Sequence, residues 1–119
     1  MPTVKIELLK GRDNQTLLQI RDLVMDSVVE VLQLSVDHRN MRVIEYDADF
    51  FHMKPPYQIL IEITMFHGRP KDIKKKLFQT ITDRFESGGF GLKTNLLIII
   101  NEQPRENWGV RGGIPGDEI

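Results

Sequence analysis

The chain has no cysteine among its 119 residues, which excludes a disulfide framework, thiolate catalysis and cysteine-held metal. It also lacks an excess of either charge. Sixteen basic residues stand against 17 acidic ones, so no net field draws it to nucleic acid or to an anionic membrane. No run approaches the roughly 20 apolar residues needed to span a bilayer, and the first residues lack the apolar core of a signal peptide. A cytoplasmic protein is the expectation. Histidine is sparse too. His38, His52 and His67 have neither helical spacing nor cysteine partners, so no zinc site and no cofactor are expected. Gly88-Gly-Phe-Gly91 closes a helical pattern instead of opening one, which rules it out as a phosphate cradle.

What is present is a repeat. Val4-Lys-Ile-Glu-Leu-Leu-Lys-Gly-Arg12 matches Ile61-Glu-Ile-Thr-Met-Phe-His-Gly-Arg69 at a constant offset of 57, with Gly-Arg in register. A helical pattern follows each Gly-Arg: Leu17, Ile20, Val24, Val28 and Val31 in the first copy, Ile73, Leu77, Ile81 and Phe85 in the second. Asp13 or Asn14 can cap the first helix, Pro70 suits the first turn of the second, and Gly88-Gly89 ends it. Each copy closes on an apolar strand, Met41–Tyr46 and Leu96–Ile100. The chain therefore reads as a single domain over 1–119, with pseudo-repeats at about 2–46 and 59–102 and a glycine-rich tail over 103–119.

Two β-α-β units most simply form one four-stranded sheet with both helices on one face, an α/β (α+β) arrangement. Strands that show their other face to water should alternate, yet Leu96–Ile100 has no polar residue and Ile59–Phe66 has only two. That face needs a cover. A symmetric copy of the chain is one solution; the other is that the tail and the Asp49–Tyr57 linker fold back over it.

Pro2 directly behind Met1 at the head of a strand, Gly-Arg at the strand-to-helix turn, the duplicated β-α-β and the tail Glu106-Asn-Trp-Gly-Val-Arg-Gly-Gly113 together resemble the 4-oxalocrotonate tautomerase superfamily. The resemblance runs over nearly the whole chain, and it is to the long-chain members. In these, two β-α-β units are fused and three chains assemble, across tautomerases, malonate semialdehyde decarboxylases and haloacrylate dehalogenases. It implies a homotrimer that handles small 2-oxo acids or their enols without a cofactor. It also implies loss of Met1, which leaves Pro2 with a free secondary amine. An α-amino group titrates at roughly 7.7–8.0, and an apolar pocket with nearby cations lowers that value. Such a group can serve as general base and then as general acid. The second copy has Ile59 at the equivalent place, mid-chain and without an amine.

A carboxylate substrate needs a clamp, and arginine's planar fork fits it bidentately. The resemblance assigns this role to Arg69, leaving Arg12 structural or solvated. Arg39, before the second repeat strand, is a second clamp or a solvated loop charge. Trp108 matches a pocket-walling aromatic, and its other reading is an interface anchor. His38 and His67 either donate to an enolate oxygen or are ordinary surface histidines. Arg111 can reach a substrate or pair with Asp117 or Glu118.

Two departures from the decarboxylases matter. Where these carry aspartate before an arginine, this chain has His38 before Arg39, with Asp37 one place earlier; where they carry an arginine two places before the match to Arg69, it has His67. Keto–enol tautomerisation needs neither residue. The alternatives are a hydratase, dehalogenase or decarboxylase on the same scaffold, or a non-catalytic trimeric binding protein.

Overall fold

The structure, a computed structural model, describes residues 2–119. The expected removal of Met1 lies outside these described residues. Strand β1 (Thr3–Leu9) leads into α1 (Asn14–Val31) and β2 (Asn40–Tyr46); β3 (Ile59–Phe66) leads into α2 (Lys71–Ser87) and β4 (Leu96–Gln103). Two-residue strands β5 (Gly109–Val110) and β6 (Ile114–Pro115) make a hairpin in the tail. The main sheet runs β2-β1-β3-β4, parallel within each repeat and antiparallel where β1 meets β3. Both helices lie on one face, as the two-unit reading expects. No helix among the described residues is long and apolar enough to cross a membrane.

Local chemistry sets the elements. Asp13 is the residue that caps α1: the Thr16 N–H donates to its Oδ1 at 2.8 Å and holds its carboxyl below the usual range. Pro70 sits at the cap of α2, one place outside the helix, and Gly88 closes it. Gly11 and Gly68, equivalent at the 57-residue offset, hold φ of +136° and +114° at the strand-to-helix turns. A side chain there would strain both turns. The apolar faces read from the sequence then meet. Val4, Ile6 and Leu8 with Ile59, Ile61, Ile63 and Met65 bury against Ile20, Val24 and Val28 of α1 and Leu77, Ile81 and Phe85 of α2. Each fully buried side chain of this size contributes about 1.5–3 kcal/mol of transfer free energy.

The pseudo-twofold axis of the duplication is visible as contacts between equivalent residues. Lys5 pairs with Glu62 at 3.0 Å on the open sheet face, and the Arg84 guanidinium donates to the buried Ser27 hydroxyl at 3.3 Å between the helices. Each pair is separated by 57 in sequence. Arg84 also bridges to Glu30, so this axial contact locks α1 to α2.

The open face is more polar than the β3 and β4 runs suggest. Lys5, Glu7, Glu62 and the Tyr46 hydroxyl, which donates to Glu7 at 3.1 Å, occupy its centre. The Glu62 hydrogen bond raises the Lys5 ammonium pKa, while burial pushes the Tyr46 phenol up. Apolar Leu60, Leu97 and Ile99 flank this strip, with Ile99 38% exposed. The chain's own arms reach the ends of the face: Phe51 stacks on Tyr46 and Trp108 packs edge-on against Phe66. Self-covering therefore operates at the ends and leaves the middle open.

Candidate active site

Antiparallel pairing of β1 with β3 decides which loops meet. Thr3 lies between Asn40 of β2 and Thr64 of β3, so Pro2 enters the sheet at the end where β3 and β4 finish. Pro2 is buried, and its carbonyl accepts from Asn40 Nδ2 at 3.3 Å. The turn carrying His67, Gly68 and Arg69 leaves β3 at this same end. Arg12 belongs to the opposite end, with Leu9, Tyr46 and Ile59.

The Gly68-Arg69 turn is held from β4. Glu102 accepts from the Lys74 ammonium of α2, which holds its carboxyl below the usual range against the opposing effect of burial; the Gly68 N–H and His67 lower it further. The His67 N–H donates to the Gln103 carbonyl at 3.0 Å, while the His67 side chain is exposed. Arg69 is half-buried, and among the described residues no carboxylate pairs with it. A guanidinium in that state keeps its full donor set for an external anion.

An aromatic wall stands beside this turn. Phe66 meets the Trp108 ring at 5.0 Å and 81°, and Arg105 places its guanidinium 4.5 Å from the Phe66 centroid. The wall is tied down by the chain's end: the Gly116 N–H donates to the Trp108 carbonyl at 2.8 Å. A Cβ at Gly116 would stand 2.6 Å from the Arg105 carbonyl oxygen. The Trp108 Nε1 and His38 Nδ1 atoms are buried and make no hydrogen bond among the described residues. Buried polar atoms are nearly always paired in native proteins, so each is an available point of attachment.

The remaining predicted residues are placed differently. The Arg39 guanidinium turns to α1 and pairs with Asp26, and its backbone N–H donates to the Asp37 carbonyl at 2.9 Å. His38 is half-buried in the same loop, with its N–H on the Ser35 carbonyl at 3.0 Å, whereas Asp37 is exposed. Arg111 sits exposed at the tip of the β5–β6 hairpin with φ of +48°, and neither Asp117 nor Glu118 pairs with it. Among the described residues no group of three His, Asp or Glu side chains could hold a metal ion.

Phe66, Arg105, Glu102 and Gly116 were not legible as site residues from the sequence, although a signal existed for the first two. The offset of 57 continues past both repeat strands: the 3-10 turn Ala48–Phe50 corresponds to Arg105–Asn107, and Phe51 to Trp108. What reads as linker in one half and tail in the other is the same arm, laid back on its sheet end.

Residues 30–111 match the model of a family described as Tautomerase enzyme. The probable tautomerase YrdN of Bacillus subtilis (strain 168) is 24% identical over 116 residues, covering 91% of this chain and 89% of that one. Among solved structures, FG41 malonate semialdehyde decarboxylase inhibited by 3-bromopropiolate superposes with a TM-score of 0.84 at 22% identity, covering 95% of this chain and 92% of the other. A Q0 fused 4-OT, a wild type symmetric trimer, superposes with a TM-score of 0.85 at 14% identity, covering 97% and 96%. The duplicated β-α-β fold, the mixed sheet order and the family match agree, and this chain belongs to the tautomerase family, within the 4-oxalocrotonate tautomerase superfamily.

Proposed function

We propose that the protein is a cofactor-independent keto–enol tautomerase of small 2-oxo acids, with the amine of Pro2 as its acid–base group. The observation that carries this reading is topological: β1 against β3 brings Pro2 to the sheet end that holds Arg69 and the Phe66–Trp108 wall. With Met1 removed, the Pro2 nitrogen is a secondary amine in a buried setting. Burial and the Arg69 charge both disfavour its ammonium form, which lowers its pKa toward neutrality. For an enol substrate, the amine accepts the hydroxyl proton, and the O–H electron pair forms the C=O bond as the C=C pair shifts to carbon 3. Carbon 3 takes the proton back from the prolyl ammonium, so no atom is gained or lost.

Arg69 holds the substrate carboxylate and orients carbon 3 toward the amine. Phe66 and Trp108 exclude water, and the unpaired Trp108 N–H is a donor for a substrate oxygen. Glu102 and Lys74 position the Gly68-Arg69 turn. Arg39, paired with Asp26, steadies the loop that presents His38 at the same end. Hydration or decarboxylation would require an acid to activate water; Asp37 is exposed, so tautomerisation is the reading these residues favour. The open strip of the sheet, with Leu60, Leu97 and Ile99 beside the charged centre, supports a homotrimer like that of the fused 4-OT neighbour.

The test is ketonisation of phenylenolpyruvate by protein whose intact mass shows loss of one methionine. Pro2→Ala is expected to lower kcat by about 100-fold or more, in line with the usual contribution of a positioned general base. Unchanged turnover in that variant, or full activity with Met1 retained, would sink the mechanism. A monomer by sedimentation velocity would remove the trimer from it.

A further inference from the structure

The duplication builds a second corner at the other end of the sheet. Leu9, Arg12 and Phe51 stand at the positions equivalent to Phe66, Arg69 and Trp108, each 57 residues earlier. With His52, Tyr57 and Gln58 they line a cavity of about 300 Å³, a volume at the lower end of the range for small-molecule sites. We infer that this cavity is a second binding site, for a small carboxylate with a flat apolar body, held without turnover.

Four features carry the inference. Arg12 is half-buried in the cavity wall, and among the described residues no carboxylate pairs with it, so its guanidinium fork is open to an external anion. Asp47 of the first arm is neutralised by Lys10 at 3.0 Å, and no acidic residue lines the cavity itself among the described residues. Phe51 is fixed by stacking on Tyr46, with centroids 5.1 Å apart and planes within 11°, giving the apolar body a rigid wall. The opposite wall is pinned through the buried Asn95, whose Nδ2 donates to the Pro56 carbonyl at 3.0 Å and whose carbonyl accepts the Gln58 N–H at 2.7 Å. A rigid, preorganised cavity loses little conformational entropy on binding.

The chemistry of the two corners diverges at one position. Ile59 stands where the other half has Pro2, so the prolyl amine that would act on a bound enol is missing here. Recognition is retained and proton transfer is not. Occupancy of this site is independent of Met1 removal.

The experiment is an amide-shift titration of the 15N-labelled full chain with 3-phenylpropionate, a carboxylate that does not enolise to a conjugated product. Saturable shifts are expected at the amides of His52, Met53, Tyr57 and Gln58. Arg12→Gln should weaken them at least tenfold, and Arg69→Gln should leave them in place. Tyr57→Ala, at a side chain 37% exposed, provides a second variant that spares the core and should also weaken the shifts. The neutral analogue 3-phenylpropanol should fail to saturate these amides. Absence of saturable shifts at them, or equal affinity in Arg12→Gln, overturns the inference. If only the Trp108 indole signal moves, the second site is refuted while the active-site reading stands.

Discussion

Replacing Arg69 by glutamine tests the clamp with a predictable magnitude. Because no carboxylate among the described residues pairs with Arg69, its loss orphans no partner there, and thermal stability should change by no more than about 0.5 kcal/mol, as for an ordinary surface change. Hydrogen bonds to a charged group are worth about 1.5–3 kcal/mol. At about 1.4 kcal/mol per tenfold, kcat/KM for phenylenolpyruvate should fall by about 10- to 150-fold. The substrate carboxylate is present in both ground and transition states, so most of the loss should appear in KM, with kcat falling less. The assay is the ultraviolet decay of the enol at several concentrations, beside Lys71→Gln as a control. That variant removes one positive charge from an exposed position in the first turn of α2, without touching the clamp. An exposed charge acts only weakly through water and salt, so Lys71→Gln should stay within about twofold. Equal losses in both variants would show a general field in place of a clamp. An Arg69→Gln enzyme within twofold of the parent would refute the assignment.

Two further outcomes follow from the supports of the site. Gly116→Ala forces a methyl group against the Arg105 carbonyl, and the arm must shift. The expected cost is about 1–3 kcal/mol, as for overpacking, with red-shifted emission from Trp108, the only tryptophan; unchanged emission and urea midpoint would count against a rigid wall. The Lys74–Glu102 pair predicts a pH dependence. Glu102 has a depressed folded pKa, so the pair's stabilisation is present above the ordinary value of 4.5 and is lost as pH falls through the folded one. The difference in thermal midpoint between the parent and Lys74→Gln should therefore be largest at pH 7 and shrink at pH 3. A constant difference would show that Lys74 acts through packing.

How much of this was legible in advance differs from residue to residue. The periodicities of Leu17, Ile20, Val24 and Val28 and of Leu77, Ile81 and Phe85 forecast which helix faces are buried, because a 3.6-residue period has one stable way to meet a sheet. Strand β4 ran longer than its apolar segment: Asn101, Glu102 and Gln103 pair on with Thr64, Met65 and Phe66, since backbone hydrogen bonding does not require apolar side chains. Arg39 was legible as a cation near the site, but not as the partner of Asp26, because that contact joins a loop to a helix residue 13 positions earlier. Trp108 was legible as a pocket wall or an interface anchor; its pairing with Phe66, and Phe51's with Tyr46, emerge when both arms fold back.

By itself the sequence determined that the chain is duplicated at an offset of 57, which residues form its core, and where each Gly-Arg turn falls. These depend on local spacing and on chain identity, both of which one dimension carries. Spacing alone left Arg12 and Arg69 equivalent, and the family resemblance favoured Arg69. The antiparallel register of Thr3 with Thr64 separates them in space, setting Arg69 at the proline end and Arg12 at the other. Strand pairing is a long-range choice, and it is that choice which turns two copies of one motif into two chemically different corners.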